Sequence, residues 1–251
     1  MGRSATQHGR SAQITNVPAV PTPPIHLRPA TELAERVLLP GAPHRALAVA
    51  QDLLEKPLMF NHARGLWGYT GLAPDGEPLS VQSTGMGGPS AAIVIEELLQ
   101  LGARSFVRIG TCGALRQDLE LGQLVAVGEV VAADGVSQAL GGAPRLSPDP
   151  DLTQKLIDGG ALAVTAVSTD LFYDPREGAE VDWAARGADV VEMEAATLLA
   201  LTGREGASGA VVLAVSDLLT DGSRRRIEGE ALGDAGLALG RAGYAALAGS
   251  P

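Results

Sequence analysis

The segment from Arg108 to Gly113 brings together residue types that could bind an anion. Arg108 lies inside the apolar run Phe-Val-Arg-Ile, where a guanidinium is costly to bury unless an anion or a carboxylate meets it. The next residues, Gly110-Thr111-Cys112-Gly113, are predicted to form a turn that offers a hydroxyl and backbone N–H groups. An arginine on the solvent face of an edge strand is the simpler interpretation of Arg108. The arginine and the turn together favour an anion site.

Acidic residues follow two other apolar segments. Glu192 and Glu194 come directly after Val190 and Val191, and side chains at positions i and i+2 can point the same way. The alternative for this pair is an acidic helix N-terminus, where the helix dipole favours negative charge. Asp217 follows the apolar run 209–215 and lies at a predicted strand end. These acids could serve hydrogen bonding or proton transfer if the fold brings them to one place.

Alternating strands and helices must position these groups. Gly85, Gly87 and Gly88 permit a tight turn, and the helix that follows Pro89 is predicted to stop at Gly102. Apolar patterns predict strands over 36–39, 105–110, 121–133, 161–169 and 209–215, and helices over 46–54 and 228–249. This alternation predicts an α/β fold, a single domain over residues 26–251, with a central mixed, largely parallel sheet flanked by helices.

The composition indicates a globular protein and argues against several classes. Of 251 residues, 45% are hydrophobic and 19% charged, and the formal net charge of −10 argues against nucleic-acid partners. The single cysteine, Cys112, can form neither an intramolecular disulfide nor a cysteine-rich metal cluster. No apolar run approaches the roughly 20 residues that cross a bilayer, so we expect a cytoplasmic protein with no membrane partner. Residues 1–25 are predicted to be a disordered leader.

The motif GMGGPS at residues 85–90, followed by RIGTCG at 108–113, resembles the nucleoside phosphorylase family of the purine nucleoside/uridine phosphorylase type. The run VEMEAA at 191–196 is similar to the same family, closest to its hexameric purine members. The resemblance implies reversible phosphorolysis of purine ribonucleosides and deoxyribonucleosides, which yields free base and ribose or deoxyribose 1-phosphate. It also implies a homo-oligomer, a hexamer built as a trimer of dimers, that needs no metal or organic cofactor.

The resemblance further implies a role for each matching residue. Those implied to bind phosphate are Gly41, Arg45, Arg108, Thr111 and, from a neighbouring subunit, Arg64. Those implied to bind the ribose are Met86, Glu192, Met193, Glu194 and, from a neighbouring subunit, His26. Those implied to contact the base are Phe172, Ser216 and Asp217, with Asp217 as the catalytic acid that protonates N7 of the departing base.

Simpler interpretations stand beside several of these roles. His26 and Arg64 could be solvated surface side chains, and Phe172 could pack in the core. An aspartate at position 217 could cap a strand end. Purine members carry a further arginine that assists the acid. This chain departs from their register there, so one of Arg224, Arg225 and Arg226 would substitute, with Arg226 favoured.

Other functions remain open at this level. Uridine phosphorylases share the mechanism but normally recognise uracil with a Gln-x-Arg pair, where this chain has Arg176-Glu177-Gly178. A nucleosidase would use water, which would leave the phosphate arginines without a purpose. A non-catalytic nucleoside-binding protein would not need an acid at Asp217. The preferred base and the exact assembly are not determined by the sequence.

Overall fold

The computed structural model describes residues 23–219 and 224–249, in which helices are interspersed among the strands. The strands are β1 (Arg36–Pro40), β2 (Glu55–Asn61), β3 (Gly68–Leu72), β4 (Pro78–Gln82), β5 (Ser105–Ala114), β6 (Leu124–Ala132), β7 (Arg145–Leu146), β8 (Leu162–Ser168), β9 (Val190–Glu192), β10 (Ser208–Leu218) and β11 (Arg225–Arg226). The helices are α1 (Pro43–Leu53), α2 (Gly88–Gln100), α3 (Gly135–Ala139), α4 (Pro150–Asp158), α5 (Ala179–Ala185), α6 (Ala195–Glu205) and α7 (Gly229–Leu247). The predicted leader lies outside the described residues except for residues 23–25.

These strands form one mixed sheet. Its order is β11-β10-β6-β8-β9-β5-β1-β4-β3-β2, with β7 beside β6. Because β10 also pairs with β5, the strands β5, β10, β6, β8 and β9 form a closed ring. The longest ladders, β5 with β10 and β6 with β8, are parallel. The predicted α/β fold with a mixed, largely parallel sheet is therefore confirmed, and the closure of the ring is a feature that the strand patterns did not reveal.

Helices cover both faces of the sheet. On one face α2 and α6 contribute Val94, Leu98 and Leu198 to a buried apolar cluster. On the other face α1 and α7 contribute Val49 and Leu239 to a second cluster. Within the described parts of the chain, no helix combines the length and the apolar character that crossing a bilayer requires.

The C-terminal helix α7 is continuous although its many glycines have low helix propensity. Two of these glycines lie where the helix comes close to its neighbours. A Cβ added at Gly240 would be 2.7 Å from a methyl group of Val49, and one at Gly243 would be 2.8 Å from Leu38 and from Ile109. Close packing of α7 on α1 and on the sheet therefore explains Gly240 and Gly243.

The predicted turn at Gly110–Gly113 is wrong, because these residues continue strand β5. They pair in parallel with Leu213–Asp217 of β10, which keeps the backbone extended. Gly110 is required by Arg108, since a Cβ there would lie 2.8 Å from Nη2 of Arg108. The turn predicted before α2 is confirmed: Gly85 and Gly87 have φ angles of 75° and 83°, which favour glycine.

Candidate active site

Arg108 is a deeply buried cation of the candidate site. It lies on the central strand β5 with 5% of its surface exposed, so it is not the solvent-facing arginine of an edge strand. Its Nε donates to Oε2 of Glu192 at 3.1 Å, and its Nη2 donates to Oε2 of Glu194. Burial opposes the charge, but the carboxylates of Glu194 and Glu192 raise the pKa of Arg108.

One nitrogen of this guanidinium remains available. Nη1 of Arg108 is buried and has no hydrogen-bond partner among the described residues. Buried donors in folded proteins are nearly always bonded, so an unpartnered guanidinium nitrogen indicates a missing acceptor. Because guanidinium groups bind oxyanions well, the acceptor that fits best is an anion.

Glu192 is the second carboxylate that binds Arg108, and its own oxygens are fixed by further hydrogen bonds. Its carboxylate accepts hydrogen bonds from the hydroxyl of Ser168 and from the backbone N–H groups of Glu194 and Ala195, the latter two at 2.9 Å. These amides belong to the first turn of α6, so the alternative of an acid at a helix N-terminus describes Glu192 well. Both oxygens are engaged within the chain. The geometry therefore favours Glu192 as a support for Arg108 over the predicted contact with ribose.

Glu194 joins the glycine-rich turn to the arginine. Its Oε1 accepts from the backbone N–H of Gly87 at 2.5 Å, and its Oε2 accepts from Arg108. Burial raises the pKa of Glu194, and the attraction of Arg108 works against that rise. Met86, next to Gly87, is 86% exposed, and Met193 is half-buried beside Glu194. The structure thus brings the predicted ribose residues of two distant segments to one place.

Arg45 lies close enough to Arg108 for their charges to interact. Its pKa is lowered by burial and, to a smaller extent, by the positive charge of Arg108. Nη1 of Arg45 donates to the carbonyl of Ile109 at 3.4 Å, and none of the ion pairs among the described residues involves Arg45. Arg108 is paired with two carboxylates, but no carboxylate among the described residues balances the charge of Arg45 beside it. This second guanidinium again favours the binding of an anion.

The remaining predicted phosphate residues frame these arginines. Gly41 lies just before α1, and its carbonyl accepts from the N–H of Gly85 at 3.1 Å, which joins the two glycine turns. The N-cap of α1, Ala42, offers no side-chain cap, so amides of the first turn are available to a ligand. Thr111 follows Arg108 by three residues on β5 and is half-buried.

Asp217 forms the centre of a second cluster on β10. The residue is 4% exposed, and its Oδ2 accepts from the hydroxyl of Ser216 at 2.7 Å. Its Oδ1 accepts from Nε of Arg224 at 2.7 Å, whereas Nε of Arg226 is 3.8 Å away. It is the next-to-last residue of β10 and pairs with Arg226 of β11, so it lies close to the strand end, as the sequence predicts. Arg224, not the favoured Arg226, makes the closer contact with Asp217.

Phe172 belongs to the same cluster. The guanidinium carbon of Arg224 lies 4.5 Å from the centre of the Phe172 ring, a cation–π contact. The Phe172 side chain is 48% exposed, so it does not pack in the core. An exposed aromatic ring beside a buried acid offers a planar apolar surface and a polar group to the same ligand. Its predicted role as a base contact remains a prediction.

His26 lies apart from both clusters, and Arg64 makes no hydrogen bond or ion pair with either of them among the described residues. Nδ1 of His26 is 2.8 Å from Oε1 of Glu97, near the far end of α2, roughly 15 Å along the helix from Gly87. Arg64 is exposed in a short turn with a φ angle of 57°, and it forms no ion pair among the residues that the structure describes. Their assignment to the site of a neighbouring subunit remains a prediction.

Sequence reasoning missed Ser168 in the first cluster and Glu97 beside His26, and it did not single out Arg224 in the second cluster. Ser168 binds Glu192, and Glu97 binds His26, yet neither residue stands near its partner in the chain. Arg224 was one of three candidates, and only its contacts with Asp217 and Phe172 separate it from its neighbours. The run of three arginines was the one available signal.

Comparison with known proteins agrees with this arrangement. The phosphorylase superfamily matches residues 35–242 of the chain. A DeoD-type purine nucleoside phosphorylase of Geobacillus kaustophilus (strain HTA426) is 36% identical over 206 residues, 78% of this chain and 86% of the relative. The enzyme of the same name from Clostridium novyi (strain NT) is 34% identical over 200 residues, 76% of this chain and 85% of the relative. The chain therefore belongs to the phosphorylase superfamily.

Proposed function

We propose that this protein catalyses the reversible phosphorolysis of purine ribonucleosides and deoxyribonucleosides in nucleoside salvage. The observation that carries the proposal is the buried Arg108, which binds two carboxylates and keeps one unpartnered nitrogen for an anion. The names of the relatives, purine nucleoside phosphorylases, support the same reaction. The protein is accordingly a nucleoside phosphorylase, which is a pentosyltransferase.

Phosphate would bind between Arg108 and Arg45. Nη1 of Arg108 would donate to one phosphate oxygen, and the uncompensated charge of Arg45 would attract another. Backbone amides after Gly41 and the hydroxyl of Thr111 would complete the shell within this chain. Phosphate bound in this way is already oriented, so one of its oxygens can form the bond to C1′ of the sugar without a further loss of translational and rotational entropy.

The sugar would lie between the glycine turn and Glu194. A carboxylate can accept hydrogen bonds from ribose hydroxyls, and Met86 and Met193 would cover the apolar side of the ring. As the bond from C1′ to the base breaks, positive charge develops on the sugar. The negative charges of phosphate and Glu194 would stabilise this positive charge. Their electrostatic contribution to the rate would therefore be largest in the transition state.

The base would leave between Phe172 and Asp217. It would stack on the exposed Phe172 ring, either displacing Arg224 or using the other face of the ring. Asp217 would transfer its proton to N7, so the base would leave as a neutral molecule and not as an anion. Arginines supply the positive charge and Asp217 supplies the proton, so the proposed reaction needs no metal or organic cofactor.

The proposal includes a homo-oligomer, a hexamer in its full form, in the cytoplasm. Its support in this chain is that His26 is bound to Glu97 near the far end of α2 and that Arg64 is exposed, although both are residue types suited to a nucleoside or to phosphate. In an assembly each could complete the site of a neighbour.

Cleavage of a nucleoside should depend on phosphate, or on arsenate in its place. The measurement is release of free base from inosine, guanosine, adenosine and uridine at equal concentrations, with and without phosphate. A purine nucleoside should be the best substrate, and base release without phosphate should be negligible, because the arginines are arranged for an anionic nucleophile. Equal release in phosphate-free buffer would indicate a nucleosidase, and uridine as best substrate would indicate a uridine phosphorylase.

Two inactive variants should restore activity when mixed. The variant Arg64→Ala lacks the group supplied to a neighbour, and Glu194→Ala lacks a group of its own site. In a dimer of one chain of each kind, one of the sites has both groups intact. Random mixing after dissociation and reassembly should recover up to about a quarter of the wild-type activity. Absence of recovery in demonstrably mixed oligomers would contradict a shared site.

A further inference from the structure

Asp170 makes a contact that the proposed reaction does not use. It comes two residues before Phe172, in the segment that leaves β8. Although Asp170 is exposed, its Oδ2 accepts from the backbone N–H of Gly135 at 2.7 Å. A Cβ at position 135 would lie 3.3 Å from the same oxygen, so glycine allows this close approach. A carboxylate thus ties the segment that carries Phe172 to the first residue of α3.

The position of the Phe172 ring depends on few other bonds. The N–H of Thr169 donates to the carbonyl of Glu192 at 3.0 Å, which fixes the start of the segment. Within the parts of the chain that the structure describes, no hydrogen bond joins Phe172 or Tyr173 to another residue. Asp170 is therefore the last residue before the ring whose hydrogen bond reaches a different part of the fold.

Helix α3 is itself fixed to the elements that follow the predicted sugar residues. Asp134, 1% exposed, caps this helix: its Oδ2 accepts from the N–H of Ser137 at 2.8 Å and from the hydroxyl of Thr197 on α6 at 3.3 Å. A Cβ at Gly88, the first residue of α2, would meet that hydroxyl at 2.8 Å and a side chain of α3 at 3.1 Å. The starts of α2, α3 and α6 are therefore packed together. The segments just before α2 and α6 are the glycine turn and Glu194.

We infer that Asp170 is a positioning residue, whose bond to Gly135 fixes the Phe172 ring against α3. Since α3 is packed beside the segment of Glu194, this bond also sets the distance between the surface for the base and the site for the sugar. The stacking of a base on the ring rests on the proposed function, whereas the anchoring of the ring does not. Because only the base stacks on Phe172, Asp170 contributes to the affinity for the base and not to the affinity for the sugar phosphate.

The position of the ring can be measured without any assay of activity. The chain has 3 phenylalanines, and the other two, Phe60 and Phe106, are fully buried. Labelling with fluorophenylalanine therefore gives one ¹⁹F signal for each ring, and Phe172→Leu identifies the signal of Phe172. In Asp170→Ala this signal should move towards that of free fluorophenylalanine, while the signals of the two buried rings stay unchanged. An unchanged Phe172 signal would overturn the inference, whatever reaction the protein catalyses.

The bond can be removed from either side. Asp170→Ala removes the acceptor, and Gly135→Pro removes the donor. Proline is suited to this place, because Gly135 is the first helical residue of α3 and the preceding Asp134 has extended φ and ψ angles of −95° and 152°. Gly135→Pro should therefore shift the Phe172 signal as Asp170→Ala does. Asp170→Asn keeps an oxygen acceptor and should retain the wild-type signal.

The effect on the reaction is measured in the direction of nucleoside synthesis, with a free purine base and ribose 1-phosphate as substrates. Asp170→Ala and Gly135→Pro should each raise the KM for the base roughly 3–10-fold, the contribution of one hydrogen bond, and leave the KM for ribose 1-phosphate unchanged. The double variant should lose no more than either single variant, because both remove the same bond. In a Phe172→Ala background neither substitution should have an effect, since the ring through which it acts is gone.

Asp149→Ala is the matched control. Asp149 caps α4 by accepting from the N–H groups of Asp151 and Leu152 at 3.0 Å, and α4 packs in the second apolar cluster. This variant should leave the Phe172 signal and both KM values unchanged. If Asp170→Ala raises the two KM values equally, Asp170 has a structural role only and the inference is wrong. If wild-type protein makes no nucleoside, the proposed function fails instead, and the ¹⁹F measurement still decides whether Asp170 positions the ring.

Discussion

Replacing Asp217 by asparagine should lower the turnover of an ordinary purine nucleoside by roughly 10²–10⁴-fold, the usual effect of removing a general acid. Asparagine keeps the size of the side chain and can still bond to Ser216 and accept from Arg224, but it cannot transfer a proton to N7. The apparent affinity for phosphate should change little, because the phosphate cluster around Arg108 involves other strands. Steady-state kinetics in both substrates would measure the two effects.

A nucleoside methylated at N7 provides the control for this prediction. Its base already carries a positive charge and needs no proton to leave, so its cleavage should survive Asp217→Asn far better than that of the unmethylated nucleoside. Asp118→Asn, an exposed carboxylate paired with Arg116, should change neither substrate. Equal losses for the two nucleosides would mean that Asp217 has a structural role and that the acid is another group.

Replacing Arg108 by methionine should remove phosphate-dependent cleavage and destabilise the fold. Methionine fills part of the volume but leaves the buried carboxylates of Glu192 and Glu194 without their counterion. Removing one partner of a buried ion pair costs about 3–5 kcal/mol in the free energy of unfolding. Urea denaturation at neutral pH, alongside the phosphate assay, would measure both losses.

The loss of stability should also depend on pH. Burial already raises the pKa of Glu194, and without Arg108 it should rise further. When the pKa of a carboxyl group is higher in the folded than in the unfolded state, the folded protein loses stability as the pH rises from the unfolded pKa through the folded pKa. It regains that stability as the pH falls. The deficit of Arg108→Met should therefore be largest at neutral pH and shrink under mildly acidic conditions.

Arg241→Met is the comparison for this variant, since Arg241 pairs with Asp52 in solvent and its removal should have little effect at any pH. The prediction would be contradicted if Arg108→Met lost little stability at neutral pH, or if its loss did not change with pH. Arg108 would then not be the counterion that Glu192 and Glu194 require.

Residues that are neighbours in the chain were the most predictable part of the site. Arg108 within an apolar strand and Glu192 with Glu194 after another strand are each visible in the sequence, because strand geometry fixes how such residues are directed. The contacts of Glu97 with residue 26, and of Ser168 with Glu192, join residues far apart in sequence. Nothing local to either residue indicates the contact, so only the fold could reveal it.

Local propensity failed where tertiary pairing was stronger. Gly110 and Gly113 are typical of a turn, but pairing with β10 keeps them in a strand, and the Gly110 position is shaped by the Arg108 side chain that crosses it. In α7, glycines that weaken an isolated helix permit close packing against Val49 and Ile109. In both places the glycine leaves space for a neighbouring group. From a single sequence, a glycine required by close packing looks the same as a glycine required by a turn.

The closed ring of strands has a consequence for how substrate preference can change. Arg108, Glu192 and Asp217 are carried by β5, β9 and β10, all members of the ring, so each strand is held on both sides by hydrogen bonds. Phe172 and Arg224 lie on connecting segments outside it. Mutations in those segments can reshape the pocket for a different base while the ring keeps the acid and the phosphate arginine in register. A laboratory library confined to positions 171–178, with Arg224 kept as the partner of Asp217, would thus explore new bases while the acid and the phosphate arginine stay unchanged.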